Sequence, residues 1–227
     1  MVGVVPQRYR RTRDDLGRPR HKGKPYPPAR RGSKKPVRGE VTCITVLLSA
    51  VRPADLSAAA GRTVPDLVGP GLRVLLVGIN PSLWSGATGL HFANPSNRLW
   101  PVLQQSGWTD RRLDPSETGA LLAAGIGITN LVRRATARAD ELSDDEIRAG
   151  LPAVEALAAH WQPSRVAFLG LGAYRIATGD RRATVGPLGR EVGGRPAWLL
   201  PNPSGLNAGW QLPRLVAAYR ALRTARG

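Results

Sequence analysis

Two short loops of this chain place asparagine side chains directly after apolar runs. The segment 78–83 (GINPSL) follows one such run, and the segment 202–207 (NPSGLN) follows the last one. In open parallel sheets, sites lie outside the carboxyl ends of the strands, where both loops are expected. An asparagine amide donates and accepts hydrogen bonds, so it can orient a water molecule, but it is a poor general base. Taken alone, the first loop is more typical of a structural turn than of a site, and the second is also compatible with a turn.

The rest of the chain predicts the elements that carry these loops. Four apolar runs predict strands: 73–79, 126–132, 165–171 and 197–200. Helical patterns lie between and after them: one opened by Asn94 and Pro95, one from 115 to 122 that ends before Gly125, one from the capping box of Ser143 and Glu146 to about Trp161, and one over 212–222. Strands alternating with helices predict a single three-layer α/β domain, with a mainly parallel central sheet and helices on both faces.

Charge is plentiful and unevenly spread. The 227 residues carry a net charge of +17, and residues 1–40 alone hold 13 basic and 3 acidic side chains. Such an excess indicates a polyanionic partner, most often nucleic acid and less often an anionic membrane surface. Because residues 1–50 are rich in Pro and charge, we expect them to form a disordered basic arm. Two interpretations of the arm stay open: attraction to phosphates, or no role, including a start codon placed too early.

Several classes of protein are excluded by composition. A lone cysteine, Cys43, excludes a disulfide framework and a cysteine-ligated zinc or iron–sulfur site, and the three histidines are far apart in sequence. The apolar stretch 41–51 is too short to cross a membrane. No Walker A pattern and no G-x-S-x-G elbow is present. We therefore expect a soluble, cytoplasmic protein.

Several segments resemble the mismatch-specific uracil/thymine DNA glycosylase family, part of the uracil-DNA glycosylase superfamily. The resembling stretches follow that family's order and spacing: 71–100, 127–132 (GITNLV), 200–207 (LPNPSGLN) and 215–222. The resemblance covers about 63–223 and implies a uracil-DNA glycosylase-like catalytic domain, which we assign to 51–227. It implies monofunctional removal of uracil, and of thymine or etheno-cytosine as further candidates, opposite guanine in double-stranded DNA. The product would be an abasic site for base excision repair.

The resemblance also assigns the chemistry to the two loops. By it, Asn80 positions the attacking water. Asn202 stands where faster uracil-specific relatives carry a histidine that stabilises the leaving base, and an amide would donate more weakly. Asn80 and Asn202 are thus the candidate catalytic residues. Because no carboxylate lies in the first loop, we expect slow chemistry, with selection left to base flipping and leaving-group quality.

A base pocket and a wedge follow from the same resemblance. Phe92 matches the aromatic residue that stacks against the extruded base. The candidate base-binding residues are Gly78, Ile79, Ser82, Ser85 and Phe92, and the candidate DNA-binding residues are Ser204, Gly205, Leu206 and Asn207. Leu206 would enter the duplex and fill the gap left by the flipped base. The backbone at Gly205 and Asn207 would face the widowed guanine.

Two departures from the family pattern bear on substrate choice. Ser82 stands where the best-known members have glycine, which puts the size of the accepted base in doubt. Ala208 stands where some members have an arginine, which puts an extra grip on the orphan strand in doubt.

The expected partner is double-stranded DNA with a mismatched or damaged pyrimidine, bound by a monomer without cofactor, metal or membrane. Two alternatives stay open: a general uracil-DNA glycosylase that also acts on single strands, and a non-catalytic DNA-binding module of the same fold.

Overall fold

The computed structural model describes residues 51–225. Seven α-helices are present in this part of the chain: α1 Pro53–Ser57, α2 Leu83–Thr88, α3 Leu99–Gln105, α4 Thr118–Ala123, α5 Asp144–Trp161, α6 Leu171–Thr178 and α7 Leu212–Thr224. Five strands accompany them: β1 Val74–Gly78, β2 Ile126–Asn130, β3 Val166–Leu169, β4 Gly186–Val192 and β5 Arg195–Leu200, with a 3₁₀ turn at Ala139–Glu141. The predicted basic arm, residues 1–50, lies outside the described residues and stays a prediction.

The strands form one sheet in the order β2-β1-β3-β5-β4. The first four are mutually parallel, and only β4 runs antiparallel to its neighbour β5. The carboxyl ends of four parallel strands therefore meet at one edge of the sheet. This arrangement confirms the predicted α/β architecture with a mainly parallel sheet.

Both faces of the sheet are covered by helices. Along β1, Val74 and Leu76 pack against α3, α4 and α7, while Leu75 and Val77 pack against α5 and α6. Successive side chains of a strand point to opposite faces, and every residue of β1 is buried, as expected of a central parallel strand. No helix between residues 51 and 225 is long and apolar enough to cross a membrane.

The long helix α5 begins where its sequence predicts. The Ser143 hydroxyl accepts a hydrogen bond from the Glu146 backbone N–H at 3.2 Å, and the Glu146 carboxylate accepts one from the Ser143 N–H at 2.9 Å. This reciprocal pair satisfies two N–H groups that would otherwise lack partners at the helix start. The helix ends at Trp161, also as predicted.

Two predicted helix starts are wrong, and local hydrogen bonds explain both. The Asn94 side chain does not cap a helix; its Oδ1 accepts from the backbone N–H of Ser96 at 2.9 Å and forms a turn, and α3 begins at Leu99. Asp114 likewise accepts from the N–H of Ser116 at 3.0 Å, so that α4 begins at Thr118 rather than near Pro115. Asn and Asp side chains can accept a hydrogen bond from the backbone N–H two residues later, which forms a turn instead of a helix start. Both residues form this turn here.

Candidate active site

The loops after β1 and β5 lie together on one cavity of about 440 Å³. Its lining includes the ends of three parallel strands, at Gly78, Asn130 and Leu169. The cavity also includes every residue that the sequence singles out as a site candidate: Gly78, Ile79, Asn80, Ser82, Ser85, Phe92, Asn202, Ser204, Gly205, Leu206 and Asn207. Its volume is in the range of small-molecule sites. The structure thus brings the two loops together, while the role of each residue stays a proposal.

The floor of the cavity is closely packed around Gly78. A Cβ atom at this position would lie 2.3 Å from Asn130 Oδ1 and 3.5 Å from Phe92 Cζ. The first distance is far below a van der Waals contact, so only glycine fits here without moving Asn130. The absence of a side chain at Gly78 therefore lets an amide from β2 and an aromatic ring approach the same point.

The amide of Asn80 is held in one orientation. Its Nδ2 donates to the backbone carbonyl of Arg134 at 3.1 Å and to Thr136 Oγ1 at 2.7 Å. The Thr136 hydroxyl donates its own proton to the Arg138 carbonyl at 2.7 Å, so it can only accept from Asn80. Among the described residues, Asn80 Oδ1 has no hydrogen-bond partner, and it is not a buried atom. Asn80 therefore leaves an accessible acceptor at the cavity.

In Asn202 the amide oxygen is hydrogen-bonded to the protein, whereas in Asn80 it is the amide nitrogen. Its Oδ1 accepts from the backbone N–H of Ser204 at 3.1 Å. A backbone N–H can only donate, so the oxygen of this amide must face the loop. In the part of the chain that the structure describes, Nδ2 has no acceptor and is not buried. Asn202 therefore leaves an accessible donor at the same cavity.

Phe92 occupies a strained backbone conformation beside the floor. Its φ is +51°, in the left-handed region that bulky residues rarely adopt. The Trp100 indole N–H donates to the Phe92 carbonyl at 3.1 Å, which holds this conformation from α3. The half-buried ring remains part of the cavity lining. Strain of this kind persists only where the surroundings impose it.

Ser82 and Ser85 have structural contacts at the cavity wall. The Ser82 hydroxyl caps α2 by accepting from the Ser85 N–H at 3.2 Å. The Ser85 hydroxyl is buried and accepts from the Ala93 N–H at 3.4 Å, next to Phe92. These contacts connect the loop after β1 to the segment that carries the aromatic ring.

The loop after β5 projects an apolar side chain into solvent. Leu206 is 86% exposed and is the one large hydrophobic residue so exposed among residues 51–225. Beneath it, a Cβ atom on Gly205 would lie 2.7 Å from the Ser96 carbonyl oxygen, so the loop packs closely on the segment before α3. The Asn207 side chain donates to the Asn202 carbonyl at 2.9 Å and closes the loop at its base.

Sequence reasoning missed several residues of the lining. Asn130 ends β2, but the apolar run 126–132 continues past it, so the rule that found Asn80 and Asn202, a polar residue directly after an apolar run, did not single it out. Thr136 carried no such signal, because its contact with Asn80 spans 56 positions of the chain. Arg138 also lies at the rim, paired with Asp140.

His91 is the one neutral titratable side chain that lines the cavity, and its ring is hydrogen-bonded to the protein backbone. Its Nε2 lies 2.8 Å from the carbonyl of Pro65, so this nitrogen carries the proton. Burial lowers the pKa of His91 below its usual value of 6.5, which keeps the ring neutral. No aspartate or glutamate is among the residues that line the cavity. The described site therefore holds no carboxylate that could act as a general base.

Two comparisons relate the chain to known proteins. Residues 65–223 match the model of the uracil DNA glycosylase superfamily. The fold is similar to the solution NMR structure of a candidate uracil DNA glycosylase from Methanosarcina acetivorans, with a TM-score of 0.52 and 18% sequence identity. That match covers 72% of this chain and 98% of the other. At this level of identity the structural match shows the fold alone.

Proposed function

The chain belongs to the uracil DNA glycosylase superfamily, and from this premise we propose that it removes uracil opposite guanine from double-stranded DNA. The proposed reaction is hydrolysis of the bond between sugar C1′ and the base nitrogen. Water adds to C1′, its hydroxyl stays on the sugar, and its proton ends on the released base. An abasic site remains in the DNA strand. The proposed enzyme is monofunctional and acts as a monomer in the cytoplasm.

The observation that carries this proposal is the opposite orientation of the two asparagine amides. The transition state of base excision is cation-like at the sugar and anion-like at the base. It is stabilised by an oriented water on one side and by hydrogen-bond donors to the base on the other. Asn80 offers an acceptor for the water, and Asn202 offers a donor for the departing base. Both residues line the same cavity, which supports these two roles.

The lack of a carboxylate in the lining supports a slow reaction. An amide orients water without taking its proton, so the barrier depends strongly on how well the base leaves. A base that is already weakly paired is also cheaper to extrude than one in a Watson–Crick pair. Both effects favour uracil in a mismatch over normal pyrimidines. Together they would make the enzyme selective for mismatched uracil even though it lacks a strong general base.

Asn130 and Phe92 suit the binding of an extruded pyrimidine. The Asn130 amide lies on the cavity floor next to the Phe92 ring, on the open side left by Gly78. An amide has one donor and one acceptor side by side, which complements the donor–acceptor edge of uracil. We assign Asn130 to the base edge and Phe92 to the base face. The exposed Leu206 would fill the gap in the duplex.

A panel of uracil substrates tests this function. Duplexes carrying G·U, G·T or A·U, and single-stranded uracil DNA, are incubated with the protein and then treated with alkali to cleave abasic sites. Scission of G·U above A·U and single strands supports the mismatch-specific enzyme. Equal scission of all uracil substrates supports a general uracil glycosylase. Tight binding to G·U without scission identifies a non-catalytic module and rejects the proposal.

A further inference from the structure

Arg98 makes an unusual set of contacts with the loop after β5. Its Nη1 donates to the carbonyl of Trp210 at 2.6 Å, and its Nη2 donates to the carbonyls of Asn207, at 3.0 Å, and Ser204. The backbone N–H of Arg98 donates to the Pro203 carbonyl at 2.9 Å. One residue at the start of α3 therefore holds carbonyls at both ends and in the middle of the segment 203–210, which we call the wedge loop.

Apart from Arg98, the wedge loop is held by the Asn202 and Asn207 side chains at its base and by the close approach of Gly205 to Ser96. It contains no helix or strand, and Pro203 has no N–H to donate. Its internal backbone bonds are short-range turns, such as Asn207 to Ser204 at 3.0 Å and Ala208 to Leu206 at 3.0 Å. Leu206 stands 86% exposed at its tip, so apolar packing does not fix the tip. Polar contacts from below, those of Arg98 among them, thus hold the loop that carries Leu206.

The guanidinium is suited to this position by its geometry. Its planar fork presents several N–H groups in fixed directions, so one side chain can contact three carbonyls at once. The Nε of Arg98 is buried without a hydrogen-bond partner, which is unfavourable. The side chain keeps this arrangement because both terminal nitrogens are engaged by the loop. A lysine at the same place would supply the charge without the fork.

Arg98 also connects the wedge loop to the segment that carries Phe92. It precedes Leu99 at the N-cap of α3, and Trp100 in the first turn of α3 holds the Phe92 carbonyl. The residue that would fill the duplex and the residue that would receive the base are therefore held by neighbouring positions of one short segment.

We propose that Arg98 is a positioning residue for base extrusion, which holds the wedge loop so that Leu206 enters the duplex at a fixed distance from Phe92. This inference rests on the proposed function. Arg98 does not touch the reacting atoms in this account. Its removal should impair the step in which the base leaves the stack, and should spare the chemistry of a base that is already extruded.

The test compares two substrates that differ in the cost of extrusion. Single-turnover excision is measured on G·U and on uracil opposite an abasic-site analogue, where no partner base must be broken away. Arg98→Lys and Arg98→Ala are expected to slow excision from G·U by about 10-fold or more and to slow the second substrate by less than about threefold. Arg220→Ala is the matched control, since Arg220 donates to Gln105 outside the wedge loop. Equal losses on both substrates, or no loss on G·U, would overturn the proposal.

Two further measurements keep the outcome decisive. If Arg98→Ala does not fold, Arg98→Lys is combined with Leu206→Ala; the lysine variant is expected to add little to the loss from Leu206→Ala, and independent losses would contradict the inference. Amide hydrogen exchange in 204–210 is expected to be faster in Arg98→Lys than in the wild type, whether or not the protein excises uracil. If the wild type excises nothing while exchange is still faster in Arg98→Lys, the proposed function is rejected and the contact of Arg98 with the loop is retained. Unchanged exchange would reject the role of Arg98.

Discussion

Asn80 and Asn202 turn opposite ends of the same functional group toward one cavity. In Asn80 the NH₂ group is engaged by Arg134 and Thr136, whereas in Asn202 the oxygen is engaged by the Ser204 backbone. Neither orientation is arbitrary, since a carbonyl can only accept and a backbone N–H can only donate. The pair thereby offers an acceptor and a donor, as hydrolysis with an anionic leaving group requires.

Thr136 is expected to matter because it fixes the Asn80 amide. Thr136→Val removes the hydroxyl that accepts from Asn80 at 2.7 Å and leaves a similar shape. The variant also loses the hydrogen bond to the Arg138 carbonyl. The loss of the bond to Asn80 is expected to slow single-turnover excision by about 3- to 10-fold through poorer water orientation. Affinity for the duplex should stay the same. Thr136→Ser keeps the hydroxyl and should retain the wild-type rate; an equally slow serine variant would contradict this role.

Leu206 is expected to act on DNA and not on folding. Because the side chain is 86% exposed, Leu206→Ala should leave the melting temperature unchanged. Burying a leucine in the duplex is favourable by about 1.5–3 kcal/mol, so its loss should slow excision from G·U by about 10- to 100-fold. Leu206→Met keeps apolar bulk and serves as the control. An alanine variant with full activity on G·U would show that the side chain does not enter the duplex.

Gly78 is expected to tolerate no side chain. In Gly78→Ala the new Cβ would lie 2.3 Å from Asn130 Oδ1, which must move away from the cavity floor. We expect excision to fall by about 100-fold, the usual cost of a misplaced group near the reaction centre. The control is Gly172→Ala in α6, where a Cβ meets nothing within 4 Å. That change should leave excision unaffected and raise stability by about 0.5–1 kcal/mol. Full activity of Gly78→Ala would contradict the assigned floor.

The pH dependence of folding stability should reveal the neutral state of His91. Burial lowers its pKa in the folded protein, whereas the unfolded chain binds a proton near the ordinary value of 6.5. Below pH 6.5 the unfolded chain binds a proton at His91 more readily than the folded protein does. The free energy of unfolding therefore has its full value above pH 6.5 and decreases as the pH falls below it. Urea unfolding at pH 7.5 and 5.5 should show lower stability at the lower pH, and His91→Gln should reduce that difference. An undiminished difference in the glutamine variant would exclude His91 as its source.

Local patterns predicted much of the fold and of the site. Apolar runs predicted the four parallel strands, and polar residues at their carboxyl ends predicted Asn80 and Asn202. The antiparallel edge strand β4 was missed, because its sequence GPLGREV has two glycines and a largely exposed pattern. Edge strands need less burial than central ones, so their apolar signal is weak.

Contacts between distant residues could not be predicted from the sequence. Asn80 and Thr136 are 56 positions apart, and Arg98 reaches carbonyls more than 100 positions away. Such pairs form only after the sheet has brought the loops together. A second reason is that one residue type can fit two local structures. The Asn94 side chain could cap a helix or close a turn, and in the folded protein it closes a turn.

The replacement of Asn80 tests the central claim most directly. Single-turnover excision of uracil from a G·U duplex is measured for the wild type and for Asn80→Ala, together with the affinity of each for the uncleaved duplex. If the amide orients the attacking water, excision falls by about 100-fold or more while binding is unchanged. If Asn80→Ala excises uracil at the wild-type rate, the water is held elsewhere and the proposed mechanism is wrong.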